Sequence, residues 1–169
     1  MQWSREDRLV VNVSGGDVWE VPIDGGDPRP LLDESFMERD ARLSPDGRWI
    51  VYVSEQSGHP EVVVRSLSGP ARKIPVSTHG GDQPVWRRDD EILFVDPGGL
   101  LQRVAVHMAE GGLTFGAPEK LAVPRFAERH WGTTYDETPD GRRVYFPHSG
   151  EDTSPQQIHI VLGWNAMLR

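Results

Sequence analysis

Ser44-Pro45-Asp46-Gly47-Arg48 runs directly into Trp49-Ile50-Val51-Tyr52-Val53, and the fold is read from that junction. Proline suits the second place of a type I turn, and glycine suits the fourth, where a positive φ is tolerated. A turn of this kind between apolar runs joins two antiparallel strands. The cassette returns three times: Ser4-Arg5-Glu6-Asp7-Arg8 before Leu9-Val10-Val11, Arg87-Arg88-Asp89-Asp90-Glu91 before Ile92-Leu93-Phe94-Val95, and Thr138-Pro139-Asp140-Gly141-Arg142 before Val144-Tyr145-Phe146. Recurrence at roughly forty residues, with several short strands per period, is the pattern of propeller blades. The sequence therefore predicts an all-β chain, a β-propeller of about four blades, each a short antiparallel four-stranded sheet. One domain spans 1–169, with blades over approximately 1–35, 36–78, 79–124 and 125–169.

Within each period the strands and turns alternate. In the first, Leu9 to Val13 and Val18 to Ile23 flank the turn Ser14-Gly15-Gly16-Asp17, and Arg29-Pro30-Leu31-Leu32 supplies an edge strand where proline is tolerated. The second expects an inner strand at Ala41-Arg42-Leu43, then Trp49 to Val53, Glu61 to Leu67 and Ala71 to Val76. The third runs Gln83 to Trp86, Ile92 to Val95 and Leu101 to Val106. An extra hairpin through Ala109-Glu110-Gly111-Gly112 stretches this period before Glu119 to Val123. The fourth holds Trp131 to Tyr135, Val144 to Phe146 and Gln157 to Leu162, and Trp164 to Leu168 is expected to form one helical turn. The second strand of each blade is a continuous apolar run, which implies burial on both faces where blades stack.

Bulk properties narrow the function. A formal net charge of −8 argues against nucleic acid or an anionic membrane as partner, since both need basic surface. No apolar run reaches the length of a membrane span, and Met1 to Asp7 lacks the basic-then-apolar pattern of a signal peptide. The chain as given is expected to be soluble, in the bacterial cytoplasm, or extracytoplasmic if cut from a longer protein. With Cys 0, disulfides and thiolate metal sites are excluded.

The Pro-x-Trp-Ser-Pro-Asp-Gly logic of the cassette, with Gly80-Gly81-Asp82-Gln83-Pro84-Val85-Trp86 and Leu43 to Arg48, resembles the TolB-like (WD-repeat-like) β-propeller family. A narrower likeness covers the second half. Leu113-Thr114-Phe115-Gly116-Ala117-Pro118, Tyr135-Asp136 before Thr138 to Gly141, and Ile160-Val161-Leu162-Gly163-Trp164 resemble the C-terminal propellers behind bacterial kinase or transcription-regulator domains. Three positions depart from the pattern. Arg88-Asp89-Asp90 replaces Pro-Asp-Gly and must tolerate a non-glycine at the last place, Glu137 stands where Trp3, Leu43 and Trp86 stand, and Gly163 replaces a usual asparagine.

Propellers of this family engage partners at a funnel mouth lined by the segments that join one blade to the next. The resemblance thus points to Glu38, Arg39 and Asp40, to His79 and Asp82, and to Arg129, His130 and Trp131 as candidate binding residues. Mixed charge with aromatic and arginine anchors suits recognition, although Asp40 and Asp82 equally suit backbone N–H bonds that shape the turn. Trp3, Trp49 and Trp86 are expected in the core rather than as stacking platforms. His59, His107, His148 and His159 lack metal-ligand spacing, so no metal or cofactor is expected. No Gly-x-Ser-x-Gly elbow, phosphate loop or nucleophile–base pair stands out.

The expectation is a non-catalytic module that binds a protein or peptide or acts as a sensor. The alternative is a propeller accessory to a kinase- or peptidase-linked enzyme. An open arc exposes an apolar blade face at each end, so a homodimer or higher assembly completing the ring is expected, with tight closure as a small four-bladed ring, or membership of a larger ring as a fragment, as the alternatives.

Overall fold

The computed structural model describes residues 2–3, 8–13, 16–88, 90–109, 112–123, 134–138, 143–145 and 160–162. These form four antiparallel sheets in chain order. The first contains β1 (Gln2–Trp3), β2 (Arg8–Asn12), β3 (Val18–Pro22) and β4 (Arg29–Leu32). The second contains β5 (Glu38–Leu43), β6 (Trp49–Ser54), β7 (Glu61–Ser66) and β8 (Lys73–Pro75). The third contains β9 (Asp82–Arg87), β10 (Glu91–Val95), β11 (Leu101–Ala109), β12 (Gly112–Phe115) and β13 (Glu119–Lys120), and the fourth β14 (Asp136–Glu137), β15 (Arg143–Tyr145) and β16 (Ile160–Leu162). Strands pair with their sequence neighbours, as in propeller blades, and only β11 takes partners on two levels. Its start pairs β13 through Gln102 and Arg103, while its end forms the added hairpin with β12.

The cassette closes as its residues require. Gly47 N–H donates to Ser44 C=O at 2.9 Å, the bond of a type I turn, and Gly47 takes φ 72°. Asp46 Oδ1 accepts both the Ser44 hydroxyl (2.6 Å) and Arg48 N–H (3.0 Å), while Ser44 Oγ accepts Trp49 N–H at 3.0 Å. The same chemistry recurs in the fourth sheet, where Thr138 N–H donates to Arg143 C=O at 3.0 Å and Thr138 Oγ1 accepts Arg143 N–H at 3.2 Å. In the third sheet the left-handed residue of the turn is Arg88, at φ 49°, rather than the residue in the last place.

These turns fix a common register. Trp3 lies opposite Leu9, Leu43 opposite Ile50, Trp86 opposite Ile92, and Glu137 opposite Val144. The acidic residue at 137 therefore keeps the pairing of its equivalents. Alternate residues of each second strand then serve opposite neighbours. Ile50 and Tyr52 pack with Val10, Val18 and Leu32 of the first sheet. Val51 packs with Val62, Val64, Trp86, Ile92 and Phe94 between the second and third. Leu93 and Val95 pack with Leu101, Tyr135 and Val144 between the third and fourth. Three cores between four sheets account for the unbroken apolar runs of the two middle sheets, because β6 and β10 bury both their faces.

Candidate functional site

Four of the polar residues that the sequence singled out, Glu38, Arg39, Asp40 and Asp82, lie on inner strands and not in loops. Strand β5 begins at Glu38 rather than at Ala41, so Glu38, Arg39 and Asp40 lie within a sheet, and Asp82 opens β9. The reason is a bulge. Asp40 (φ 54°) and Gln83 (φ 52°) are left-handed non-glycine residues, each next to a register shift in the pairing of its strand. The extra residue lets pairing resume beyond it, so that Arg39 faces Val53 and Glu38 faces Ser54.

The two bulges stitch adjacent blades. Arg39, on β5, forks onto Asp82, on β9. Its Nη2 donates to Asp82 Oδ2 at 2.9 Å, its Nη1 reaches Asp82 Oδ1 more closely, and Nη1 also donates to Asp40 Oδ2 at 3.0 Å. Asp82 Oδ1 additionally accepts Gln83 N–H at 2.8 Å, the backbone role expected of it. Gln83 in turn accepts Thr134 N–H and the Thr134 hydroxyl, both at 2.7 Å, and its carbonyl accepts the Tyr135 hydroxyl at 2.8 Å. Burial pushes the Asp40 carboxyl above its usual value; the Arg39 charge opposes this and the Asp82 charge adds to it. For Arg39 burial works against the charge, but bonding to Asp82 and Asp40 outweighs it and raises the guanidinium further. The cluster is a bidentate clamp.

Glu38 does not join that clamp. It is 0% exposed, its Oε2 accepts Glu34 N–H at 3.3 Å, and its Oε1 has no partner among the described residues. Burial pushes its carboxyl upward, and the neighbouring Glu34 charge adds to that. His79 is exposed in the segment before β9, with Nδ1 at 3.0 Å from Thr78 Oγ1. Arg129, His130 and Trp131 lie outside the described residues.

On the same side of the sheets, near the start of the inner strands, the structure gathers residues that sequence reasoning passed over. Phe36 and Met37 stand side by side, 45% and 36% exposed, on the segment entering β5. Met37 C=O accepts Glu55 N–H at 3.1 Å, and Gly16 lies so close that a Cβ there would meet the Met37 Cα at 3.0 Å. Met37 is thus held in place beside Phe36. Nearby Glu61 is buried and bonded by three groups: Gly80 N–H at 3.0 Å, His59 Nε2 at 2.8 Å and the Ser77 hydroxyl. Ser77 Oγ also accepts Val62 N–H at 2.8 Å. Hydroxyl and imidazole both bond the carboxylate and not each other, so the trio ties β7 to the segment before β9. The polar runs His59-Pro60-Glu61 and Ser77-Thr78-His79 were the only sequence signal for it. Among the described residues no group of three or more His, Asp or Glu is placed to hold a metal ion, and none forms a helix long and apolar enough to cross a membrane.

At the opposite end of the strands Pro45, Arg48, Trp49, Trp86 and Met108 line a groove of about 270 Å³. Trp86 is core, as expected, with its Nε1 buried and unpartnered among the described residues. Trp49 meets the expectation only in part: it packs against the core between the second and third sheets from its edge. It opens β6 opposite Ser66, not at the inner-strand position of Trp86, and stays partly exposed.

Comparison with known proteins agrees with this architecture. No family model matches the chain. Over 91 residues, 51% of this chain and 8% of the relative, it is 32% identical to Tricorn protease homolog 1 of Streptomyces coelicolor. Over 68 residues, 38% of this chain and 16% of the relative, it is 34% identical to the Tol-Pal system protein TolB of Hydrogenovibrio crunogenus. The solved structure of TolB from Acinetobacter baumannii superposes with a TM-score of 0.62 over 92% of this chain and 38% of that one, at 15% identity. The chain therefore spans far less than two thirds of the length of the proteins it matches.

Proposed function

We propose that this chain, an arc of TolB-like β-propeller blades, is a protein- or peptide-binding module whose recognition face is the start of its inner strands. The observation that carries this is the exposed Phe36–Met37 pair. Its Met37 is anchored by a backbone bond, and the pair leads directly into the strand that bears the Arg39–Asp82 clamp. Pre-ordered apolar side chains beside fixed charges supply the anchor and the polar rim of a binding surface at little ordering cost. The likeness to a protein named as a Tol-Pal system component supports a protein partner. In this reading the partners include a second copy of the chain that completes the ring.

The test is selection of peptides from a displayed random library against the wild-type chain, followed by affinity measurement on variants. Phe36→Ala combined with Met37→Ala weakens the selected peptides at least about tenfold, whereas Met108→Ala on the far side leaves them unchanged. Full affinity in the Phe36/Met37 variant contradicts the assignment.

A second reading is favoured by the 32% identity to Tricorn protease homolog 1: these blades are accessory to a peptidase. Reading the coding sequence on either side decides between them. A catalytic domain in frame supports the accessory role, and its absence leaves the free-standing module.

A further inference from the structure

Glu38 follows the exposed Phe36–Met37 pair directly and folds its segment together. Its N–H donates to Gly16 C=O at 2.8 Å, and its Oε2 accepts Glu34 N–H at 3.3 Å, which closes residues 34–38 into a loop carrying the pair. The Glu34 carboxylate is tied in turn: Oε2 accepts from Lys73 Nζ on β8, and Oε1 lies 3.7 Å from Arg65 Nη1 on β7. Glu38 pairs with Ser54, so it shares a sheet face with Tyr52, two residues earlier on β6 and turned toward the first sheet. Both side chains are fully buried, and Glu38 Oε1 and the Tyr52 hydroxyl each lack a partner among the described residues. A carboxyl buried with one oxygen unbonded is tolerated when neutral and costly as an anion. The charged and titratable groups around it are Asp17 ahead of β3, Glu34, Tyr52, Arg65 and Lys73. Burial is the largest influence and disfavours the anion; the Glu34 and Asp17 charges add to it, against the Glu34 N–H and Lys73.

We propose that Glu38 is a proton-operated latch on the recognition face, a regulation that rests on the reading of Phe36 and Met37 above. With its carboxyl neutral, residues 34–38 stay folded over it and the pair is presented. With its carboxyl ionised, the segment opens to hydrate the anion and the pair loses its placement. The segment is the part that yields, because single hydrogen bonds to Gly16 and Glu55 hold it. Tyr52 behind it belongs to a core, and β6 is paired with β7 along its whole length. The closed loop favours the proton, so closure is supported at acid pH. That support is lost as pH rises from the usual carboxylate range through the raised value. Glu38 touches no ligand in this scheme; it positions the residues that do.

NMR on the free chain reads the latch without any ligand. The Met37 methyl and Phe36 ring resonances of the wild type are expected to follow one titration curve as pH rises from about 4 to about 8. They hold still in Glu38→Gln, whose amide stands in for the protonated carboxyl. Asp17→Asn, which leaves Glu38 in place, removes a neighbouring negative charge and moves the midpoint to lower pH. In a second arm, the affinity of peptides selected in acid falls at least about threefold over the same range for the wild type. Glu38→Gln keeps at neutral pH the affinity that the wild type reaches in acid. Wild-type resonances or affinity that ignore pH, or that follow the same curve in Glu38→Gln, overturn the proposal. Failure of the recognition reading itself shows separately, as full affinity in the Phe36/Met37 variant, and the free-chain titration still decides the latch.

Discussion

Arg39 is the residue on which the junction between the second and third sheets turns. Its fork neutralises Asp82 and steadies Asp40, and both carboxylates are largely buried. Removing one partner of such a pair strands the other's charge. Arg39→Ala should therefore lower the unfolding free energy by about 3 kcal/mol in urea titrations, and adding Asp82→Ala should recover part of that loss; strict additivity would show that the pair is not coupled. Glu38 makes a different prediction. A carboxyl raised by burial holds its proton more tightly in the folded chain than in the unfolded one. Stability contributed there is present at acid pH and is lost as pH climbs from the usual carboxylate range through the raised value. Glu38→Gln should accordingly be more stable than the wild type at pH 7, with the gap closing as pH falls toward 4. A gap that widens in acid would mean the carboxylate is stabilised as an anion. The sequence marked Glu38, Arg39, Asp40 and Asp82 as polar residues near one another. It could not show that Glu38 turns away from the other three, because alternation along a strand is unreadable where a bulge interrupts it.

The element that repeats is the turn together with the strand it launches. Its bonds depend on a hydroxyl at the first place, which accepts the N–H of the first strand residue, and the same bond from Thr138 supports the fourth sheet. Ser44→Ala removes that acceptor and the donor to Asp46. It should cost about 1 kcal/mol in chemical denaturation, whereas Ser44→Thr should restore most of it. Equal losses for both would point to packing rather than the bond. Turn residues and apolar runs are local signals, so the second, third and fifteenth strands were legible from spacing alone. The opening halves of β5 and β9 were not. Their pairing depends on left-handed Asp40 and Gln83, a conformation that glutamine does not announce and that aspartate favours too weakly to be placed from sequence. The Phe36–Met37 pair escaped notice for a related reason: exposure is set by what packs around a segment, and Gly16, which holds Met37, comes from another blade.

For the whole molecule, the repeat is a rule of alternation. In the two middle sheets the second strand gives one set of side chains to the sheet before it and the other to the sheet after it. This was readable in outline from four cassettes. The position of Trp49 was not, since it depends on how the sheets stack. The most direct test is a set of interstrand backbone NOEs on the labelled chain. The account predicts proton contacts linking residue 3 with 9, 43 with 50, 86 with 92 and 137 with 144. Contacts that instead join neighbouring cassettes edge to edge into one continuous sheet, or a missing cross-strand contact at 137 and 144, would contradict it.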